Sequence, residues 1–146
     1  MKRSVGFSGS RSGMTKSQIN KVDSLLTDDL LTKVSHSGDC IGADEDFYKL
    51  SISHGLYLIG HPPNQDKLRA FCEFNEIRET KSYIVRNHDI VDESNWLLFT
   101  PLTSIEILRS GTWATIRYAK KKNKEGFIVW PNGTYITLEE WESVLS

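Results

Sequence analysis

Hydrophobic residues along this chain follow two alternating patterns. Short, nearly continuous apolar runs are typical of strands buried in a parallel sheet, whereas apolar residues spaced at i, i+3 and i+4 are typical of amphipathic helices. The runs predict strands at residues 4–8, 33–37, 56–59, 96–100 and 126–130, with a short extra strand at 135–136. The helical spacing predicts helices at residues 15–31, 43–54, 67–74, 82–93, 112–122 and 138–145.

The sequence also predicts which residues cap these helices and which of their side chains face the core. Thr15 or Ser17 is the predicted N-cap of the first helix, and Thr137 followed by Glu140 forms a capping-box pattern before the last one. In the helices at 67–74 and 82–93, the residues expected to face the core are Phe71, Phe74, Ile84, Val85, Ile90 and Val91.

The alternation of strands and helices predicts the architecture. Strand and helix alternate about five times, which is typical of a parallel sheet with helices on both faces. We therefore expect a three-layer α/β sandwich with a mostly parallel sheet of about five strands. The 146 residues suffice for one domain with a full core, and the chain shows no internal repeat or low-complexity segment.

Composition and charge narrow the possible partners. The chain is 38% hydrophobic and 25% charged, with a formal net charge of −1, which argues against binding duplex nucleic acid through charge alone. No apolar run is long enough to cross a membrane. Cys40 and Cys72 lack CxxC spacing, so we expect free thiols in a reducing cytoplasm. The four histidines and two cysteines show no metal-ligand spacing, so we expect neither a metal nor a cofactor.

The most informative stretch lies between the strand at 96–100 and the helix that follows it. It reads Arg109-Ser110-Gly111-Thr112-Trp113-Ala114-Thr115. A helix N-terminus presents unpaired backbone N–H groups and a partial positive charge, which suit an anion. Gly111 allows close approach, Ser110, Thr112 and Thr115 offer hydroxyl groups, and Arg109 can pair with phosphate. The alternatives are an ordinary helix cap at Ser110 or Thr112 and, for Trp113, packing in the core.

Two further glycine-bearing loops follow predicted strands. The first contains Ser8, Gly9, Ser10 and Arg11 and is not a GxGxxG dinucleotide motif. The second runs from Gly38 to Asp44 and contains Asp39. Because the carboxyl ends of parallel strands meet at one edge of a sheet, we expect all three loops to form one ligand site.

Three other residues are candidates for this site. His61 follows the strand at 56–59, and Arg86 and Asn87 stand early in the helix at 82–93. Each of these candidates has an alternative without a ligand: His61 lies in a surface loop, and Arg86 with Asn87 forms a solvated helix face. For Asp44 of the second loop, the alternative is that its charge complements a helix N-terminus.

The order of these motifs resembles the SLOG superfamily. The resemblance rests on Gly9-Ser10-Arg11, on the stretch from His36 to Asp44, on Arg86-Asn87 and on the 109–115 loop, and covers roughly residues 4–131. This superfamily is a Rossmann-like group that contains the DNA-processing protein A fold and the Lonely Guy phosphoribohydrolases. The resemblance implies a Rossmann-like fold, a nucleotide-derived ligand at the carboxyl edge of the sheet, and a homodimer.

The chain departs from this pattern at a residue that matters for catalysis. Lonely Guy enzymes carry a glutamate after the Pro-Gly-Gly-x-Gly-Thr loop, whereas Thr115 is followed by Ile116, Arg117 and Tyr118. Cleavage of an N-glycosidic bond requires a nearby carboxylate. The substitutes available here are Asp39, Asp44 and Glu106.

The sequence therefore supports three functions. The leading hypothesis is a module that senses or sequesters a nucleotide or nucleotide-derived signal such as an ADP-ribose, NAD-derived or cyclic nucleotide, as small stand-alone SLOG proteins of bacteria and phages are thought to do. The loop at 109–115 would hold phosphate, residues 8–11 would form the opposite wall, Asp44 and Asn87 would meet ribose or base, and Trp113 would stack. The second hypothesis is a nucleotide N-glycosidase. The third, single-stranded DNA binding, lacks an aromatic platform with interleaved basic residues.

Overall fold

The fold is built on one central sheet. In the computed structural model, which describes residues 3–145, seven strands form this sheet. They are β1 (Arg3–Gly9), β2 (Thr32–Ser37), β3 (Tyr57–Gly60), β4 (Glu76–Ile77), β5 (Trp96–Thr100), β6 (Glu125–Val129) and β7 (Tyr135–Thr137). Their order is β4-β3-β2-β1-β5-β6-β7, and only the β6–β7 pairing is antiparallel among these. The predicted mostly parallel α/β architecture is confirmed. Strand β7 corresponds to the short extra strand expected at 135–136, whereas β4 was not predicted.

Four α-helices within residues 3–145 cover the two faces of the sheet. They are α1 (Lys16–Asp28), α2 (Ala43–Ser53), α3 (Tyr83–Glu93) and α4 (Gly111–Lys121). The core on the α1 and α2 face includes Val5, Phe7, Val22, Phe47 and Leu98, and the core on the α3 and α4 face includes Ile90, Leu97, Phe99, Trp113 and Ile116. The helices thus sandwich the sheet, as the alternating pattern predicts.

Strand β5 shows why its sequence is apolar throughout. Side chains alternate between the two faces of a strand, so Leu98 joins one core and Leu97 the other. All five residues of β5 are buried. A strand covered by helices on both faces has no solvent-facing side, which explains the continuous apolar run.

The N-terminus of α1 connects two distant parts of the fold. Thr15 forms the predicted cap: its hydroxyl accepts a hydrogen bond from Gln18 N, and Thr15 N donates to Gln18 Oε1. The buried amide nitrogen of Gln18 donates to the carbonyl groups of Pro101 and Val129, each at 3.0 Å. The helix start is thereby tied to the ends of β5 and β6.

The helix expected at 67–74 is wrong. The structure has a single 3₁₀ turn, Asp66–Leu68, and then extended chain that leads into β4. Phe71 is 58% exposed and has a positive φ of 56°, so it does not face the core, whereas Phe74 is partly buried. Two hydrogen bonds to Asp39 hold this segment. Ala70 N donates to the Asp39 backbone carbonyl, and Cys72 N donates to the Asp39 carboxylate. These tertiary contacts replace the intrahelical bonds of a helix.

The helix expected at 138–145 is also wrong, although its capping signal is real. Thr137 and Glu140 form the reciprocal capping bonds. However, Lys120 donates to the carbonyl groups of Leu138 and Glu139, which an α-helix would need for its own bonds. A helix of eight residues is too short to offset that competition, because nucleation is costly.

Two core assignments on α3 also require correction. Ile90 and Val91 are buried as predicted, but Ile84 is 67% exposed and Val85 is 47% exposed. Helix α1 ends at Asp28 rather than at residue 31.

No helix within residues 3–145 combines the length and hydrophobicity needed to cross a membrane.

The loops after β1 and β2 pack directly on each other, and Gly42 makes this possible. Gly42 has a φ of 98°, and a Cβ there would lie 2.2 Å from the carbonyl oxygen of Arg11. Ala43 N donates to Ser10 O at 2.9 Å in the same contact. Only glycine fits both the backbone conformation and the space.

We expect Gly42→Ala to destabilise the fold much more than Gly55→Ala. Both glycines have a positive φ, but a Cβ at Gly55 meets nothing within 4 Å. Backbone strain at such positions costs about 1–3 kcal/mol, and the clash at Gly42 should add about 1–3 kcal/mol. Urea unfolding of the two variants measures the difference. Equal losses would show that the contact between the two loops is unimportant.

Candidate functional site

The candidate site lies where the chain changes direction across the sheet. From β1 the chain proceeds to β2 and β3 on one side and later returns to β5 and β6 on the other. Loops leaving the carboxyl ends of two such neighbouring strands diverge and leave a crevice between them. A cavity of about 570 Å³ occupies this position, lined by the loops after β1 and β5 and by the start of α4.

The N-terminus of α4 forms one wall of the cavity. Ser110 is the N-cap, and its hydroxyl accepts a hydrogen bond from Trp113 N at 3.3 Å. Gly111 packs under an aromatic ring, since a Cβ there would lie 2.6 Å from Tyr83 Cε1. The first backbone N–H groups of the helix lack partners within it and carry the positive end of its dipole. This wall is therefore suited to an anion.

Two arginines line the same cavity. Arg11 follows β1, Arg109 precedes α4, and both are exposed. Among residues 3–145 neither forms an ion pair with a carboxylate. The Arg11 guanidinium lies 5.1 Å from the centre of the Tyr83 ring. Their positive charges thus remain available to a ligand.

A third arginine lies buried behind this wall. Arg86 is 3% exposed and donates to the carbonyl groups of Gly38 and His61, the latter at 3.1 Å. Its two terminal nitrogens also lie 3.6 and 3.5 Å from Cys40 Sγ, while its Nε has no hydrogen-bond partner among the described residues. Tyr83 stacks on it at 4.7 Å and so lies between Arg86 and Arg11.

Asp44 is the carboxylate associated with this buried charge. Its Oδ2 accepts a hydrogen bond from Cys40 N at 3.0 Å. Burial raises the pKa of Asp44 to about 6, against the opposing effect of the Arg86 charge. Asp44 thus loses its proton close to neutral pH, and its charge state changes how strongly Arg86 is compensated.

The structure brings most of the predicted site residues together. The large cavity is lined by Gly9, Ser10, Arg11, Arg109, Ser110, Gly111, Thr112 and Trp113. A small adjoining cavity shares Gly9, Arg11 and Tyr83 with the large one and adds the predicted residues Ser8, Gly38, Asp44, Arg86 and Asn87. The three loops therefore meet at one edge of the sheet, and Arg86 and Asn87 are buried beside them rather than solvated.

Two of the candidate catalytic carboxylates lie outside the two cavities and accept hydrogen bonds from neighbouring loops. Asp39, with a φ of 53°, accepts hydrogen bonds from Arg69 Nε at 3.2 Å and from Cys72 N at 3.0 Å. Glu106 accepts bonds from Arg117 and from the Ser143 hydroxyl and Val144 N near the C-terminus. Both acids fix loops, and neither lines the two cavities.

Two residues of the 109–115 loop also have structural partners. The Thr115 hydroxyl donates to Gly111 O at 2.8 Å within α4, so it is engaged by the helix backbone. The Trp113 indole is 1% exposed and packs 6.0 Å from the Trp130 ring and 5.7 Å from the Trp141 ring. The core-packing alternative describes Trp113 better than ligand stacking.

Sequence reasoning missed a cluster that includes His61. His61 is not in a surface loop: it is buried, and its Nε2 lies 2.9 Å from His36 Nδ1. Glu93 Oε2 lies 3.9 Å from His61 Nδ1. Burial is the main cause that lowers the pKa of His36 to about 4 and that of His61 to about 3. The available signal was that both histidines stand near the ends of neighbouring parallel strands.

The large cavity also has an apolar wall. It consists of Ile84, Leu102, Ile107 and Leu108, which all line the cavity. The exposure of Ile84 thus has a local explanation, because this side chain faces the cavity rather than the core. Tyr83 separates this apolar wall from the buried Arg86.

Comparison with known proteins identifies structural neighbours. No protein-family model matches this chain, and no curated protein matches its sequence. The solved structures that match include two of the molybdenum cofactor carrier protein from Chlamydomonas reinhardtii. The first is 18% identical, covers 88% of this chain and 76% of the carrier chain, and gives a TM-score of 0.63. The second is 17% identical, covers 90% and 77%, and gives a TM-score of 0.59. The likeness establishes a shared Rossmann-like α/β fold and does not assign the chain to the SLOG superfamily.

We expect Asp44→Asn to stabilise the protein increasingly as the pH rises. The pKa of Asp44 is about 6 in the folded protein and 3.8 ordinarily, so the wild type loses stability as pH rises between these values. Asparagine carries no charge and avoids this loss. The advantage of the variant should grow by about 3 kcal/mol between about pH 3.5 and about pH 7.5.

Urea unfolding at a series of pH values measures this advantage. Asp66→Asn is the matched control, because Asp66 is exposed on the 3₁₀ turn and changes little in solvation on folding. An advantage of Asp44→Asn that does not vary with pH would contradict the proposed cost of burying this charge.

Proposed function

We propose that this chain binds a phosphorylated small molecule with a flat ring, with nucleotides and nucleotide-derived signals as the leading class. One observation carries the proposal. Arg11 and Arg109, which lack carboxylate partners within residues 3–145, stand beside the N-terminus of α4 in the same cavity. Exposed cations beside a helix N-terminus suit an anion that brings its own negative charge.

The polar end of the cavity would hold the phosphate. Ser10, Ser110 and Thr112 are hydroxyl residues along this wall, and Gly9 and Gly111 keep it free of side chains. The buried charge of Arg86 lies behind the same wall and adds to the positive potential. In a partly buried site, each such group contributes more than it would in water.

The apolar end of the cavity would hold the ring. Ile84, Leu102, Ile107 and Leu108 provide a surface on which a flat heterocycle is removed from water. The volume of about 570 Å³ lies within the range of small-molecule pockets. A cavity with one cationic end and one apolar end favours a ligand that has both characters, such as AMP or an ADP-ribose.

The structural neighbours support a ligand carrier or binder. Both are structures of a protein named as a carrier of the molybdenum cofactor. At 18% identity the likeness extends to the fold and not to the ligand. We therefore propose binding for sensing or sequestration, with nucleotides tested first.

We expect a nucleotide to stabilise the protein and the arginine variants to lose this effect. A ligand at a hundredfold above its dissociation constant should add about 2.7 kcal/mol of stability. Arg11→Gln and Arg109→Gln should each weaken binding at least tenfold, since charge-assisted hydrogen bonds contribute about 1.5–3 kcal/mol. Thermal shifts with AMP, ADP-ribose, NAD, cyclic ADP-ribose, cyclic dinucleotides and inorganic phosphate measure this, followed by titration calorimetry.

Lys49→Gln is the matched control for these variants. It removes one positive charge from an exposed position on α2 that lines neither cavity. It should leave affinity within twofold of the wild type. Equal weakening by all three substitutions would indicate a general charge effect, and the absence of a shift with every compound would contradict the proposed ligand class.

Hydrolysis of an N-glycosidic bond is a second candidate function, and Asp44 is the observation that favours it. Of the three candidate carboxylates, only Asp44 lines a cavity at the site, and its pKa of about 6 suits a general acid at neutral pH. The cavity that it lines has a volume of only about 10 Å³, so Asp44 would protonate the leaving base through one water, while a second water attacks the sugar carbon and the positive wall holds the phosphate.

Mass spectrometry of each incubated ligand separates the two functions. If the chain is an N-glycosidase, the wild type releases a free base and Asp44→Asn loses this turnover while retaining the thermal shift. Under the leading proposal the ligand returns intact from both proteins. Intact ligand after prolonged incubation with stoichiometric wild-type protein would exclude the hydrolase for that compound.

A further inference from the structure

A second group of chemically active side chains lies away from the two cavities. His36 belongs to β2, His61 follows β3, and Glu93 is the last residue of α3. None of the three lines the ligand cavities described above. Three separate elements therefore bring two imidazoles and a carboxylate to one place, and the ligand hypothesis assigns them no role.

The distances between these groups fit a small metal ion. One donor atom from each of the three side chains lies within 4.8 Å of the other two. His36 Nδ1 and His61 Nε2 are 2.9 Å apart. Two nitrogen ligands of a tetrahedral Zn²⁺, each at 2.0–2.1 Å, lie roughly 3.3 Å apart. The two rings would need to separate by only a few tenths of an ångström.

The two rings can also supply the ligand atoms. Both rings are buried, and a neutral imidazole carries one proton and one lone pair. The short contact between them needs a proton on one of the two facing nitrogens. That proton lies on His36 Nδ1 or on His61 Nε2. A metal ion between the rings moves it to the other nitrogen of the same ring and releases none.

Glu93 is oriented by an arginine and is partly open to solvent. Arg78 binds Glu93 Oε1 through two nitrogens, at 3.0 and 2.9 Å, and also binds Glu76. This pairing orients Glu93 with Oε2 toward His61. The Glu93 side chain is 35% exposed, so an ion can enter from solvent on that side.

We propose that His36, His61 and Glu93 form a binding site for a Zn²⁺-class divalent ion. Two imidazoles and one carboxylate are a donor set that suits Zn²⁺ and Co²⁺, whereas Mg²⁺ prefers oxygen ligands throughout. Three protein ligands leave a fourth position open to water on the exposed side. The ion would join β2, β3 and the end of α3, and it would do so whether or not the cavity between β1 and β5 binds a nucleotide.

The test is metal titration of the full chain after treatment with a chelator. Titration calorimetry should show one Zn²⁺ bound per chain, and one equivalent of Co²⁺ should give the visible absorption of a tetrahedral site. His61→Gln should abolish the Co²⁺ absorption. Because a buried histidine variant can fail to fold, Glu93→Gln is the second variant: it keeps an oxygen for Arg78, and it should weaken Zn²⁺ binding at least tenfold.

His88→Gln is the matched control. His88 lies on α3 and stacks on Tyr118 with ring centres 3.7 Å apart, away from the proposed ligands. It should bind Zn²⁺ as the wild type does, and Mg²⁺ should bind to none of the proteins. The proposal is overturned if the wild type binds no stoichiometric Zn²⁺, or if folded Glu93→Gln and His61→Gln bind it unchanged. These readouts are independent of nucleotide binding.

Discussion

The buried guanidinium of Arg86 is the constraint on which the candidate site depends. It belongs to α3, yet its hydrogen bonds go to carbonyl groups that follow β2 and β3, those of Gly38 and His61. A guanidinium removed from water costs several kcal/mol unless its N–H groups are bonded. The two loops therefore cannot move away from α3 without leaving a buried charge unbonded, and the edge of the sheet stays fixed. The Arg86 charge also acts on Asp44, where it lowers the pKa of this carboxyl against the larger effect of burial.

The sequence predicts strands better than it predicts the segments that connect them. Apolar content alone identifies a strand such as β5, because both of its faces are buried. Local signals fail where a distant residue competes for the backbone. Lys120 donates hydrogen bonds to the carbonyl groups after Thr137, although the capping bonds between Thr137 and Glu140 form. The Asp39 carboxylate likewise accepts a hydrogen bond from Cys72 N and holds that segment. These competing contacts join residues far apart in sequence, so no local pattern reveals them.

The candidate site shows the same division. Convergence of the three loops follows from parallel topology, so glycines as far apart in sequence as Gly9 and Gly111 can be placed at one edge of the sheet from the sequence alone. The position of α3 across that edge is not encoded in any local pattern. It decides that Ile84 faces the cavity, that Tyr83 stands between two arginines and that Glu93 meets a pair of histidines.

Helix α3 links the two sites because residues three or four positions apart share a helix face. Tyr83, Arg86 and Asn87 occupy the end near the cavity, Ile90 packs in the core, and Glu93 ends the helix beside His61. His61 itself connects both ends, since its carbonyl accepts from Arg86 while its ring faces Glu93. A shift of α3 along its axis would disturb the Arg86 bond and the Glu93 contact together. Helix α3 therefore gives the ligand cavity and the histidine cluster a common support.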